Sequence, residues 1–183
     1  MTNILIIDGH QKYAFSEGKL SKTLVKEMKR VLSEKHNIKT TVIEKGYNIK
    51  KEQEKFLWAD TIIYQFPIFW FGVPAPLKQY MQDVFEYGIF FSGSDKGYGR
   101  GGLLNDKTYM FSTTWNSPLN AFGHDFWKDV DSPDAVLTAL HHTQAFLGMK
   151  KLPSFSCHDV LKNPDIEAYI SALERHLNLI FNQ

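Results

Sequence analysis

The chain predicts a three-layer α/β fold, with one open parallel sheet and helices on both of its faces. Two observations carry this. The run Ile4-Leu5-Ile6-Ile7 is continuously apolar and closes on Asp8-Gly9, as a strand buried on both faces does. Beyond it, short β-branched runs alternate with stretches of helical periodicity to the end of the 183 residues, with no repeat, low-complexity tract or domain-splitting linker.

The elements follow in order. Residues 17–35 read as a helix, because Leu20, Leu24, Val25, Met28, Val31 and Leu32 recur at spacings of three and four while charges fill the other face. A short strand is expected at Lys39–Ile43, a helix at Glu52–Trp58 and a third strand at Thr61–Phe66. A helix should run from Pro74 to Tyr87, proline being tolerated in a first turn. Lys107–Thr114 is a fourth strand, residues 133–147 a helix opened by Asp131-Ser132-Pro133, and Leu152–Cys157 a fifth strand. Residues 164–182, after Asn163-Pro164-Asp165, form a last amphipathic helix. Right-handed crossovers and five strands favour the order 2-1-3-4-5, which is flavodoxin-like. Residues 88–106 are the longest irregular stretch and hold glycines at 88, 93, 97, 99, 101 and 102.

Composition narrows the function. A net charge of +1 gives no strong field toward nucleic acid or an anionic membrane. Cys157 is the sole cysteine, so there is no internal disulfide and no CxxC pair, and it reads as a small buried residue. Met1-Thr2-Asn3 lacks a basic n-region, and no apolar stretch approaches the ~18 residues of a membrane span, so a cytoplasmic, soluble protein is expected. Aromatic content of 14% is high and fits a large core, an interface or a planar-ligand site equally well. No metal site is expected: the adjacent His141 and His142 point in different directions on a helix, and Asp129, Asp131 and Asp134 lack an EF-hand pattern.

In the 2-1-3-4-5 order, ligands bind beyond the carboxyl ends of the strands, between the first and third. Residues 8–20 join a buried strand to a helix N-terminus, a natural seat for phosphate. Ser16 fits either as a helix cap or as a phosphate ligand; Gly18 permits close backbone approach; Lys19, Ser21 and Thr23 offer further donors. The loop is neither GxGxxG nor a Walker A loop. In Gln65–Pro76, the consecutive Phe69, Trp70 and Phe71 cannot all enter one core from a tight turn, Gly72 permits close approach, and Pro67, Pro74 and Pro76 stiffen the path. Such a loop suits a planar, hydrogen-bonding ring, an interface, or both.

The segments Asn3–Gly9, Phe56–Pro67, Phe69–Ala75, Asp83–Phe85, Tyr98–Leu103, Thr114–Pro118, Phe146–Met149 and Asp159-Val160 together resemble the flavodoxin-like NAD(P)H:quinone oxidoreductases of the bacterial modulator-of-drug-activity-B type, nearly end to end and in register. The chain departs from that pattern at Ile68, where bacterial relatives often carry glycine, and at Phe69, where they carry tryptophan. The resemblance implies FAD rather than FMN, a homodimer, and two-electron transfer from NAD(P)H to a quinone. It assigns Ser16, Gly18, Lys19, Leu20 and Thr23 to the FAD pyrophosphate and its surroundings, and Pro67 and Phe69 to Gly72 (with Trp70 and Phe71) to the isoalloxazine. It assigns Thr114, Trp115, Asn116 and Ser117 to the opposite ring edge, and Tyr98 to an approach from the glycine-rich loop across the dimer. No catalytic side chain is expected, since the cofactor carries the chemistry. The absence of a second nucleotide motif suggests that nicotinamide and quinone use one site in turn, in a ping-pong cycle. Competing readings are an FMN-dependent nitro, azo or flavin reductase, an electron carrier (which the near-neutral charge disfavours), and a flavin-free interaction protein with the same fold.

Overall fold

The computed structural model describes residues 1–14 and 16–181. Four long parallel strands form its centre: β1 (Asn3–Asp8), β2 (Asn37–Val42), β3 (Thr61–Pro67) and β4 (Thr108–Thr114). The sheet runs β2-β1-β3-β4-β5 (β5, Lys150–Lys151), with β6 (Phe155–Cys157) also paired to β4, and every pairing is parallel. All seven residues of β3 are buried, as befits a central strand covered on both faces.

Helices cover the two faces separately. α1 (Lys19–Leu32) and α6 (Ile166–Phe181) seal Ile4, Ile6, Ile63 and Met110 under Leu24, Met28, Leu173 and Leu177. On the other face α2 (Ile49–Trp58) and α3 (Ala75–Val84) close over Leu5, Ile7, Ile62, Tyr64 and Phe66 with Phe56, Leu77, Tyr80 and Val84. The alternation along β1 follows from the period of a strand: odd residues face one layer and even residues the other. Gly9 is required where α3 crosses the end of β1, since a Cβ there would stand 2.6 Å from Leu77 Cδ2.

The expected order is observed, with three local differences. The fifth strand is split into β5 (Lys150–Lys151) and β6 (Phe155–Cys157), because Pro153 has no N–H to give the ladder. The helix expected over 133–147 is two helices, α4 (Pro133–Val136) and α5 (Thr138–Phe146); Leu137 leaves helical geometry at φ −92°, ψ 16° and is buried. The first helix starts at Lys19 rather than residue 17, because Gly18 precedes it in the left-handed region at φ 71°. The glycine-rich stretch 88–106 is tied down by Ser92 N–H to Gly101 O, Leu103 N–H to Phe90 O and Leu104 N–H to Leu147 O, around a buried Phe90. No helix among the described residues is long and apolar enough to cross a membrane.

Candidate cofactor and substrate cleft

The carboxyl ends of β1, β3 and β4 open into a cleft of about 480 Å³. Its first wall is the turn after β1 and the start of α1: His10, Ser16, Gly18, Lys19, Leu20 and Ser21. Its floor is Pro67, Ile68 and Phe69 after β3, and the far wall is Thr114 and Asn116 after β4, with Val160 and Leu161.

The first wall is built around an imidazole. His10 is 2% exposed; its Nε2 lies 3.2 Å from Ser16 Oγ, and its buried Nδ1 has no hydrogen-bond partner among the described residues. Its ring packs so closely on Gly18 that a Cβ there would fall 2.3 Å from Nδ1. Burial lowers the His10 pKa and holds the ring neutral, the nearby Glu44 opposing this and Lys22 adding to it. Beneath it, Asp8 accepts the His10 N–H at 3.2 Å, and burial raises the carboxyl pKa. Ser16 does not cap α1. The cap position belongs to Gly18 and has no side-chain bond, so the first-turn N–H groups stay free, as at any uncapped helix start.

The turn after β3 is strained. Phe69 and Gly72 exchange both backbone bonds, Phe69 N–H to Gly72 O at 3.0 Å and Gly72 N–H to Phe69 O at 3.1 Å. Between them Trp70 and Phe71 sit at φ 49° and 63°, where bulky residues are rare. Trp70 is 95% exposed. Phe71 stacks on Phe126 at 5.5 Å and meets Trp127 edge-on at 5.3 Å. Phe69 turns inward, edge-on to Tyr13 at 5.4 Å and to His10 at 6.4 Å. A second hollow of about 790 Å³, lined by Tyr13, Phe69, Trp70, Val73 and Lys78, adjoins the cleft across Ile68 and Phe69.

The expected site residues therefore divide. Ser16, Gly18, Lys19, Leu20, Pro67, Phe69, Thr114 and Asn116 line one cleft. Trp70 borders the adjoining hollow, while Phe71 and Gly72 face a smaller one against α5. Thr23 lies one turn inside α1, where its hydroxyl donates to Lys19 O at 2.9 Å; it does not reach the cleft. Trp115 is buried behind the far wall, its Nε1 donating to Thr113 Oγ1, and Ser117 Oγ accepts from Trp127 Nε1. Tyr98 is 98% exposed and borders a separate groove with Phe91, Arg100, His142 and Phe146. Sequence reasoning missed His10, Val160 and Leu161. A histidine two residues past a buried strand, on the ligand side of the sheet, was a legible signal; Val160 and Leu161 follow the split edge strand and carried none.

The comparisons agree with this architecture. The family model for the flavodoxin-like fold matches residues 2–178. The chain is 39% identical to the NADPH:quinone oxidoreductase MdaB of Haemophilus influenzae, over 98% of this chain and 99% of that one. An uncharacterized Schizosaccharomyces pombe protein is 42% identical over 97% and 96% of the two chains. Among solved structures, a candidate quinone reductase from Klebsiella pneumoniae superposes with a TM-score of 0.83 at 22% identity, covering 100% of this chain and 86% of that one. The general stress protein 14 of Treponema denticola, solved in complex with FMN, gives 0.65 at 20% identity, over 96% and 93%. The structural likenesses speak to fold, and the near full-length sequence match goes further: this chain belongs to the flavodoxin-like family, in its NAD(P)H:quinone oxidoreductase branch of the modulator-of-drug-activity-B type.

Proposed function

We propose that the protein is an FAD-dependent oxidoreductase that carries two electrons from NAD(P)H to a quinone. The observation that carries this reading is the pairing of unlike ends in one cleft. One end offers the uncapped N-terminus of α1 beside an unpartnered, buried imidazole nitrogen at His10. The other offers the inward face of Phe69 between Pro67 and Thr114. The first suits phosphate and the second a flat ring, so the residues present fit a flavin nucleotide. When bound, a flavin supplies the two-electron redox chemistry.

The chain's own tasks are to hold and to orient. Ser16, Gly18, Lys19 and Leu20, with His10 added, would take the phosphates. Pro67, Ile68 and Phe69, with Thr114 and Asn116, would hold the ring. The N–H groups of Trp70 and Phe71 make no bond among the described residues and are free to donate. The wall continues past α1 to Val160 and Leu161, which favours the longer FAD over FMN. Reducing a quinone takes up one proton beyond the transferred hydride, which solvent at the open face would supply, and burial keeps His10, at the phosphate end, neutral. The exposed Trp70 and the neighbouring hollow leave one open face, which nicotinamide and quinone would occupy in turn. The exposed Tyr98 and the aromatic groove beside it suit a homodimer in which that loop is covered by the partner.

The test begins with the colour of the purified protein and chromatography of the released flavin. FAD is the expected product. FMN would favour an FMN-dependent nitro, azo or flavin reductase, and failure to take up either flavin would leave only the interaction-protein reading. Steady-state rates over a grid of NADPH and a soluble quinone should give parallel double-reciprocal lines; intersecting lines would refute the shared site. Sedimentation should report a dimer at micromolar concentration.

A further inference from the structure

The far wall of the cleft is made from two chain segments that meet beyond the end of β4. Trp115 N–H donates to Cys157 O at 2.8 Å, and Val160 N–H donates to Trp115 O at 3.1 Å. Between these two bonds Asp159 turns left-handed at φ 55°, and its N–H makes only a longer bond, 3.3 Å, to Ser117 O. His158 reinforces that weak point. Its Nδ1 is 3.1 Å from Ser117 O and its Nε2 is 2.9 Å from Ser156 Oγ. Its ring stacks on Trp115 with 13° between the planes, and Phe122 meets it edge-on.

We propose that His158 is a positioning residue for flavin binding: it clasps the Trp115–Ser117 turn to the Cys157–Leu161 segment, so that Asn116 on one and Val160 and Leu161 on the other form a single wall. This rests on the flavin-binding reading above. A carbonyl can only accept, so Nδ1 carries the proton and the neutral ring's Nε2 accepts from the Ser156 hydroxyl. The bond to Ser117 thus crosses the seam, three residues before Leu161, while the bond to Ser156 fixes the ring on its own segment. His158 itself does not line the cleft.

The clasp depends on pH. On protonation Nε2 must donate instead, so the Ser156 hydroxyl has to turn away, and the charge is enclosed by Trp115 and Phe122. No carboxylate among the described residues forms an ion pair with the ring, the neighbouring Asp159 included. Burial raises the Cys157 thiol to about 12, so it stays protonated. The Tyr169 hydroxyl donates to His158 O, and Asp159 accepts from Asn163 Nδ2. Phe122 and Trp115 carry no charge, and His158 forms no ion pair among the described residues. Burial accordingly lowers the His158 pKa, the bond to Ser117 opposing it only in part. The ring therefore stays neutral, and the clasp complete, to below the ordinary histidine value of about pH 6.5, and the clasp weakens as the pH falls through the lowered value.

The experiment titrates FAD into the full-length protein from pH 5.5 to 8 and follows flavin fluorescence, for wild type, His158→Asn and His158→Ala. Loss of two hydrogen bonds should weaken FAD about tenfold in the alanine variant. Asparagine places an N–H near the Nδ1 position and should stay within about threefold of wild type at pH 8, with a flatter pH profile because it cannot titrate. Amide exchange of Trp115 and Val160 in the flavin-free chain should quicken about tenfold in the alanine variant and little in the asparagine variant. An alanine variant that binds FAD within about twofold of wild type, or an asparagine variant that keeps the full wild-type pH dependence, would overturn the proposal. If wild type takes up neither FAD nor FMN, the functional reading fails on its own; the clasp is then judged by the exchange rates, and unchanged rates in the alanine variant overturn it.

Discussion

The two loops that face each other across the cleft treat backbone strain in opposite ways. After β1, the one left-handed position among the described residues of the loop is a glycine, Gly18, and the space a side chain would fill is taken by the His10 ring. After β3, the left-handed positions are Trp70 and Phe71, each of which costs about 1–2 kcal/mol relative to relaxed backbone. The first loop gives up a side chain to bring backbone donors close to a charge. The second keeps large side chains in spite of the backbone, so that its strain is tied to the side chains rather than to the turn. Strain held at a bulky residue is informative in a way that strain at glycine is not.

The largest effect should come from closing the first loop. Gly18→Ala puts a Cβ into the His10 ring at a positive φ. It should lose about 2–3 kcal/mol of stability and at least tenfold in flavin affinity, read by thermal melting and flavin titration. Full affinity in this variant would break the contrast between the loops. On the second loop, Phe71→Arg removes the packing with Phe126 and Trp127 and should impair reduction by NADPH and oxidation by quinone together. Trp70→Asn should behave differently: with the side chain 95% exposed, little packing is lost, and asparagine tolerates the left-handed region. Stability should stay level or rise by up to about 1 kcal/mol while the KM for quinone increases; a marked loss of stability would show that the turn itself needs tryptophan.

A smaller effect concerns Asp8. Burial raises its folded-state pKa, with the His10 N–H and Lys22 opposing the rise. The native state therefore keeps its proton longer than the unfolded chain as pH rises from 3.8, and stability falls through that window. Asp8→Asn keeps the oxygen that accepts from His10 and removes the charge. It should raise Tm by on the order of 2 °C at pH 7, with the gain vanishing below pH 3.8. The smallest effect is expected at His142, on the exposed side of α5, where alanine should change activity and stability by less than about 0.5 kcal/mol.

Much of this was legible in the residues because the central strands are continuous apolar runs and the helices are amphipathic, so that period and order could be read directly. The cleft's first wall was legible for the same reason, since strand order alone decides which loops meet at the switch point. What escaped depended on where single side chains turn. Thr23 has the composition of a phosphate ligand, yet its hydroxyl is taken by the carbonyl of Lys19. Tyr98 belongs to a matching glycine-rich segment, but within one chain it faces another groove. Nothing in the sequence marked His158, because its partners, Ser117 and Trp115, are some forty residues away in the chain.

The split of the fifth strand has a consequence for how this sheet meets other sheets. Beyond β4 the outer edge offers only two residues of strand, then Leu152-Pro153-Ser154, then three more. Lys150 puts a positive charge on the first piece, and Lys151 is tied to Asp134 by an ion pair at 2.6 Å. Pro153 has no donor, and its carbonyl is already engaged by His176 Nε2 at 3.0 Å. An incoming strand would find only short, interrupted stretches of strand to pair with, flanked by the Lys150 charge and the Lys151–Asp134 ion pair. The interruption makes this edge a poor template for aggregation, a protection that one long, regular fifth strand would not have provided.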